Sequence, residues 1–162
     1  MGPLGTAPYL TRRWSEKGQR PGVTPDYGGR GLVWTFGALL PKTGEALIQV
    51  SEQRTTKEFL TFLDSVDATW PAGKLVLILD NLSVHKTLDV LLWALAHPRI
   101  SFLFQPTYSP WLNLIEPWWK TLRSLALRGN SFEQLSDLTL ALYQATDYWN
   151  LHRKPYLWRK AA

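Results

Sequence analysis

A strand–helix–strand pattern in the middle of the chain limits the fold more than any other feature. Leu75-Val76-Leu77-Ile78-Leu79 is apolar without alternation, as expected of a strand covered on both faces of a parallel sheet. Thr87 to Ala96 has helical composition, His97-Pro98 stops it, and Ile100 to Phe104 is a second strand-like run. This succession implies a right-handed parallel crossover, and hence an α/β class. Upstream, Leu32 to Leu40 and Glu45 to Val50 have strand composition around the turn residues Pro41-Lys42-Thr43-Gly44, which predicts a β-hairpin. Thr55 and Thr56 can cap a helix on which Phe59, Leu60, Phe62, Leu63 and Val66 recur at helical spacing, and Pro71-Ala72-Gly73 ends it. Two further helices are expected, about Asn113 to Leu127 and Phe132 to Trp149, joined at Arg128-Gly129-Asn130. Residues 1–31 are rich in Gly, Pro and Arg and read as irregular structure or short edge strands.

At 162 residues the chain fits a single domain spanning 1–162. It contains no cysteine, which excludes disulfides, thiolate metal sites and cysteine nucleophiles, so any metal must be held by oxygen or imidazole. No apolar stretch approaches a membrane span and no signal pattern opens the chain, so a cytoplasmic location is expected. The net charge is +5, and it gathers late: residues 74–162 carry 10 basic against 6 acidic side chains, residues 1–73 carry 8 against 7. That balance favours a polyanionic partner. The nine Trp are expected mainly in the core, with base stacking as the other use of such residues.

Two carboxylates stand out. Asp80 directly follows the apolar strand, at the carboxyl end where open α/β sheets present ligand-binding groups. A turn-forming Asp, helped by Asn81, explains the same position. Glu116 comes 35 intervening residues later, near the start of a helix whose predicted buried stripe is Leu112, Ile115, Trp119, Leu122 and Ala126. Lys120 and Arg123 fall four and seven residues beyond Glu116, in one row with it. A capping box with Asn113 and a surface pair with Lys120 account for Glu116 structurally. An Asp at a strand end and a Glu on a later helix are also what oxygen-liganded Mg²⁺ requires, with bases alongside for phosphates.

Asp80-Asn81-Leu82-Ser83-Val84-His85-Lys86 after an apolar strand, then Tyr108-Ser109-Pro110-Trp111-Leu112-Asn113-Leu114-Ile115-Glu116, then Trp118, Trp119 and Lys120, resembles the catalytic domain of the IS630/Tc1/mariner transposase superfamily, in its bacterial IS630-like branch. The likeness extends to Gly18-Gln19-Arg20-Pro21, to Phe36-Gly37-Ala38, and to Trp149-Asn150 through Trp158. It implies an RNase H-like mixed sheet flanked by helices. It also implies an Asp, Asp, Glu triad that binds two Mg²⁺ or Mn²⁺ ions, cleaves element ends and joins a 3′-hydroxyl to target DNA. By motif Asp80 is the second acid and Glu116 the third, both catalytic and both metal ligands. Asn81, His85 and Asn113 are expected to line the site, although His85 equally suits a packed structural histidine. Lys120, Arg123 and Arg128 are the expected DNA contacts, and a homodimer on DNA, within the nucleoid, is the expected assembly.

The family's first Asp usually stands in an Asp-Glu pair just ahead of a segment like Met1-Gly2-Pro3-Leu4, and this sequence begins at that segment. Glu16, Asp26, Glu45 and Glu52 do not follow a buried strand in the right motif. The resemblance therefore implies an N-terminally incomplete domain without a helix-turn-helix region, a gap at the sheet centre or Met1 to Leu4 at the end of the absent strand's path, and no transposition by these residues alone. A non-catalytic DNA-binding remnant and a two-carboxylate metal-dependent nuclease are the rival readings.

Overall fold

The computed structural model describes residues 1–7, 9, 17–18, 31–106, 109 and 112–156. Most of the irregular stretch expected over residues 1–31 and much of the loop before Leu112 lie outside them, as do Gln19-Arg20-Pro21 and the tail from Leu157. A short strand β1 (Leu4–Gly5) lies antiparallel against the start of β2 (Leu32–Leu40), which turns back into β3 (Glu45–Ser51). The predicted hairpin is there. Its turn closes through Gly44 at φ 76°, a left-handed conformation that favours glycine. A Cβ at Gly44 would also run into the Lys154 carbonyl.

Helix α1 (Thr56–Thr69) starts where the Glu58 carboxylate accepts the Thr55 backbone N–H at 3.2 Å, satisfying one of the orphan donors of a helix start. It buries Phe59, Phe62, Leu63 and Val66, the stripe read from its periodicity. β4 (Leu75–Leu79), a single 3-10 turn (Ser83–Lys86), α2 (Leu88–Ala96) and β5 (Ile100–Phe104) follow, and β4 pairs parallel with β5 from Leu75↔Ile100 to Leu79↔Phe104. The expectation that β4 is covered on both faces is corrected. Val76 and Ile78 are 61% and 47% exposed, because α1 and α2 cover only the face that carries Leu75, Leu77 and Leu79.

α3 (Ile115–Ala126) and α4 (Leu135–His152) pack against the opposite side of the hairpin. Trp118, Leu122, Leu138 and Leu142 are fully buried there, each a side chain worth about 1.5–3 kcal/mol on burial. The predicted α3 stripe needs two corrections. Leu112 precedes the helix, so helical spacing does not apply to it, and it is exposed; Trp118 belongs to the buried face instead. Asn150 docks the end of α4 to the hairpin by accepting the Ala46 N–H at 2.9 Å and donating to the Ala46 carbonyl at 2.8 Å.

The helices thus form layers on either side of the strands, with one core under α3 and α4 and another under α1 and α2. The strands form two separate groups, β1-β2-β3 and β4-β5. Between β2 and β4 runs a cleft of about 620 Å³, lined by consecutive residues of both strands. Packed interiors leave few voids larger than a water molecule, so this gap is a distinct feature of the fold.

Candidate active site

Asp80 stands one residue beyond β4, at its carboxyl end, and its side chain is about half exposed at the cleft. Its Oδ1 accepts the Leu82 backbone N–H at 3.2 Å and lies 3.0 Å from His85 Nδ1. An ionised carboxylate can only accept, so the imidazole carries its proton on Nδ1 in this contact. The hydrogen bond from His85, more than any other influence, holds the Asp80 carboxyl below its ordinary range. Oδ2 takes no hydrogen bond among the described residues. His85 is buried and its ring packs 4.4 Å from that of Phe59 on α1, which fixes the imidazole that fixes the acid.

Glu116 projects from the first turn of α3 into the same cleft, and its carboxylate is free of hydrogen bonds and ion pairs among the described residues. The capping box and the pair with Lys120 that would have accounted for it are not formed. Instead the Asn113 side chain accepts the Ile115 N–H at 3.3 Å. The two acids, 36 positions apart, therefore open into one cavity. The Met1 amine also lines the cleft and donates to the Thr35 carbonyl at 2.8 Å, and both Glu116 and Asp80 favour its charged form. Burial outweighs them and brings that amine's pKa down to about 6. Carboxylates with free oxygens suit a hard divalent ion. Among the described residues no group of three or more His, Asp or Glu is assembled for one.

Lys120 and Arg123 line the cleft beside Glu116, as their spacing predicts, and Arg128 lies away from it. His85 and Asn113 also line it. Asn81 does not: it donates to the Gln105 carbonyl and accepts from Lys86, tying the loop after β4 to the end of β5. Glu45, one of the acids set aside from the sequence, accepts the Trp70 indole N–H at 3.1 Å, a structural contact. Among the described Trp, only Trp118 and Trp119 are buried; Trp34 lines the cleft, with the Arg54 guanidinium 4.5 Å over its ring. Arg54 and Trp34 are the site residues that sequence reasoning missed. A signal was present, because a base just ahead of a helix start opposes the helix dipole.

The helices layered about the strands make this an RNase H-like fold, with a strand-end Asp and a helix Glu lining one cleft. Residues 3–139 match the DDE superfamily endonucleases, and the chain belongs to that family. Over 133 residues it is 29% identical to the insertion element IS630 uncharacterized 39 kDa protein of Shigella sonnei, covering 81% of this chain and 38% of that protein. The chain thus spans well under half of its relative's length. The fold resembles the Mos1 transposase in a paired-end complex with the left transposon end, at TM-score 0.67 and 14% identity over 96% of this chain and 47% of that one. It also resembles a chain of the simian T-cell lymphotropic virus intasome in complex with the PP2A regulatory subunit B56 gamma, at TM-score 0.58 and 16% identity over 70% and 42% of the two chains.

Proposed function

We propose that this chain is the catalytic part of an insertion-sequence transposase, and that Asp80 and Glu116 hold Mg²⁺ or Mn²⁺ at a phosphodiester of the element end. The convergence of these two acids on one cleft with Lys120 and Arg123 at its rim carries the reading. When bound, the metal supplies Lewis-acid charge to the phosphoryl oxygens and lowers the pKa of a water nucleophile. The protein's own part is positional. His85 and the Leu82 N–H hold Asp80 ionised and oriented from one side, which leaves its second oxygen for the ion. Lys120 and Arg123 place the phosphate backbone beside it.

Two carboxylates hold one ion weakly and do not clamp a pair. In this proposal a third acid comes with a further strand in the longer protein, and the 162 residues alone cleave poorly. The expected partners are element ends and target DNA, bound by two copies of the protein in the cytoplasm. Among the described residues no helix is long and apolar enough to cross a membrane.

Terbium luminescence tests the metal site without reference to activity, because Trp119 lies in the cleft wall as a sensitiser. Asp80→Asn and Glu116→Gln should each lower Tb³⁺ affinity by about tenfold or more, with Mg²⁺ competing at the wild-type site. Terbium bound equally by both variants would remove the shared metal site. Adding an upstream Asp-Glu segment should restore Mn²⁺-dependent cleavage, and joining of the cut 3′ end to a second duplex separates a transposase from a simple nuclease.

A further inference from the structure

The cleft holds a third basic side chain besides Lys120 and Arg123. Arg54 lies between β3 and α1, exposed, with its guanidinium 4.5 Å from the centre of the Trp34 ring, and both residues line the same cleft as Asp80 and Glu116. The hairpin register explains the contact. Trp34 pairs with Ser51, so the chain leaving β3 passes beside the indole within three residues.

The Trp34 ring gives the Arg54 guanidinium a favourable contact but no counter-charge. The neighbouring acid Glu58 is engaged with the Thr55 N–H and hydroxyl, and no carboxylate of the described residues forms an ion pair with Arg54. Arg54 precedes α1, which begins at Thr56, so its place in the chain is at the positive end of the helix dipole, where a base is not favoured. An exposed base held on an aromatic ring at a cleft, with no acid paired to it among the described residues, keeps its charge available to an anion.

We propose that Arg54, presented on the Trp34 ring, binds a phosphate of the DNA strand that enters the cleft, as a third anchoring point with Lys120 and Arg123. This deepens the transposase reading and rests on it. Stacking uses the π-face of the guanidinium and leaves its N–H edge free for a bidentate contact with two phosphate oxygens. The indole also restricts the arginine's rotamers before DNA arrives, so less entropy is lost on binding. With Arg54 ahead of α1 and Lys120 and Arg123 on α3, a strand in the cleft is held from two elements while its phosphodiester lies by the two acids.

The test is fluorescence anisotropy of the full chain with a fluorescein-labelled duplex, from about 50 to 200 mM salt. Arg54→Ala and Arg54→Gln should weaken binding several-fold and reduce the slope of log K against log salt by about 0.9, the signature of one lost phosphate contact. Arg54→Lys should keep the slope and still lose affinity, because the charge remains and the fork does not. Trp34→Leu should weaken binding in the wild-type background and add nothing to Arg54→Ala, which a purely structural Trp would not do. Thermal midpoints of the Arg54 variants should match wild type, since the side chain is exposed. Unchanged affinity and slope in Arg54→Ala, alongside weakening by charge reversal at Lys120 and Arg123, would overturn the inference and leave the DNA reading standing. No effect at any of the three would overturn both. Equal loss from Trp34→Leu in the two backgrounds would overturn the platform role.

Discussion

One neighbour dominates the titration of Asp80. The His85 hydrogen bond holds its carboxyl below the ordinary value of 3.8, so the folded chain binds that proton less readily than the unfolded one. The stabilisation this contact gives is complete above the unfolded pKa, near 4, and is lost as pH falls through the lower folded value. His85→Ala should raise the Asp80 titration toward its ordinary range and lower stability by about 1–2 kcal/mol, from the lost hydrogen bond and the lost contact with Phe59. Carboxylate chemical shifts followed against pH, with urea unfolding beside them, check both parts. An Asp80 titration that does not move in the variant would show that another group sets it. The sequence brought Asp80, Glu116 and His85 forward as candidates. It left open whether His85 faces the cleft or packs in the core, and the structure has it doing both, because Phe59, 26 positions earlier, supplies the wall that motif spacing does not record.

At the scale of elements, periodicity and turn chemistry located each strand and helix from Leu32 onward to within about three residues. Which faces become buried was harder to read, because that depends on what lies opposite. β4 looked doubly covered from its composition, yet nothing in five apolar residues says that only one side meets helices. α3 and β2 show the same dependence in reverse. Trp119 packs directly over Gly37, and a Cβ at that position would lie inside contact distance of the indole. Gly37 is there for close approach of a helix to a strand, at a negative φ where any residue is sterically allowed by its own backbone. Gly37→Ala should therefore destabilise the chain by about 1–3 kcal/mol through overpacking, since the ring is buried with little room to retreat. Thermal denaturation decides it. A neutral Gly37→Ala would mean that the α3 end of the cleft is loosely packed.

Across the whole molecule, the cleft is a place where two strand edges face each other unpaired. Ala46 gives both its backbone groups to Asn150 on the outer edge of β3, so the hydrogen-bonded positions of β2 toward β3 are Trp34, Phe36, Ala38 and Leu40. Thr35, Gly37 and Leu39 point the other way, and the Thr35 carbonyl does receive the Met1 amine from that side. On β4, Leu75 N–H donates to Arg99 and Gln105 N–H donates to Leu79, which assigns Leu75, Leu77 and Leu79 to β5 and turns Val76 and Ile78 toward the cleft. Backbone groups at such edges must be met by water or by another strand, since leaving them dry costs about 1–3 kcal/mol each. The acid-bearing strand proposed above would meet both edges at once. Native-state hydrogen exchange should show a strict alternation: the amides of Gly37, Leu39, Val76 and Ile78 exchanging roughly tenfold or more faster than those of Phe36, Ala38, Leu77 and Leu79. Uniform protection along both strands would mean that β2 and β4 close on each other in solution, and Asp80 and Glu116 would then no longer share an open cleft.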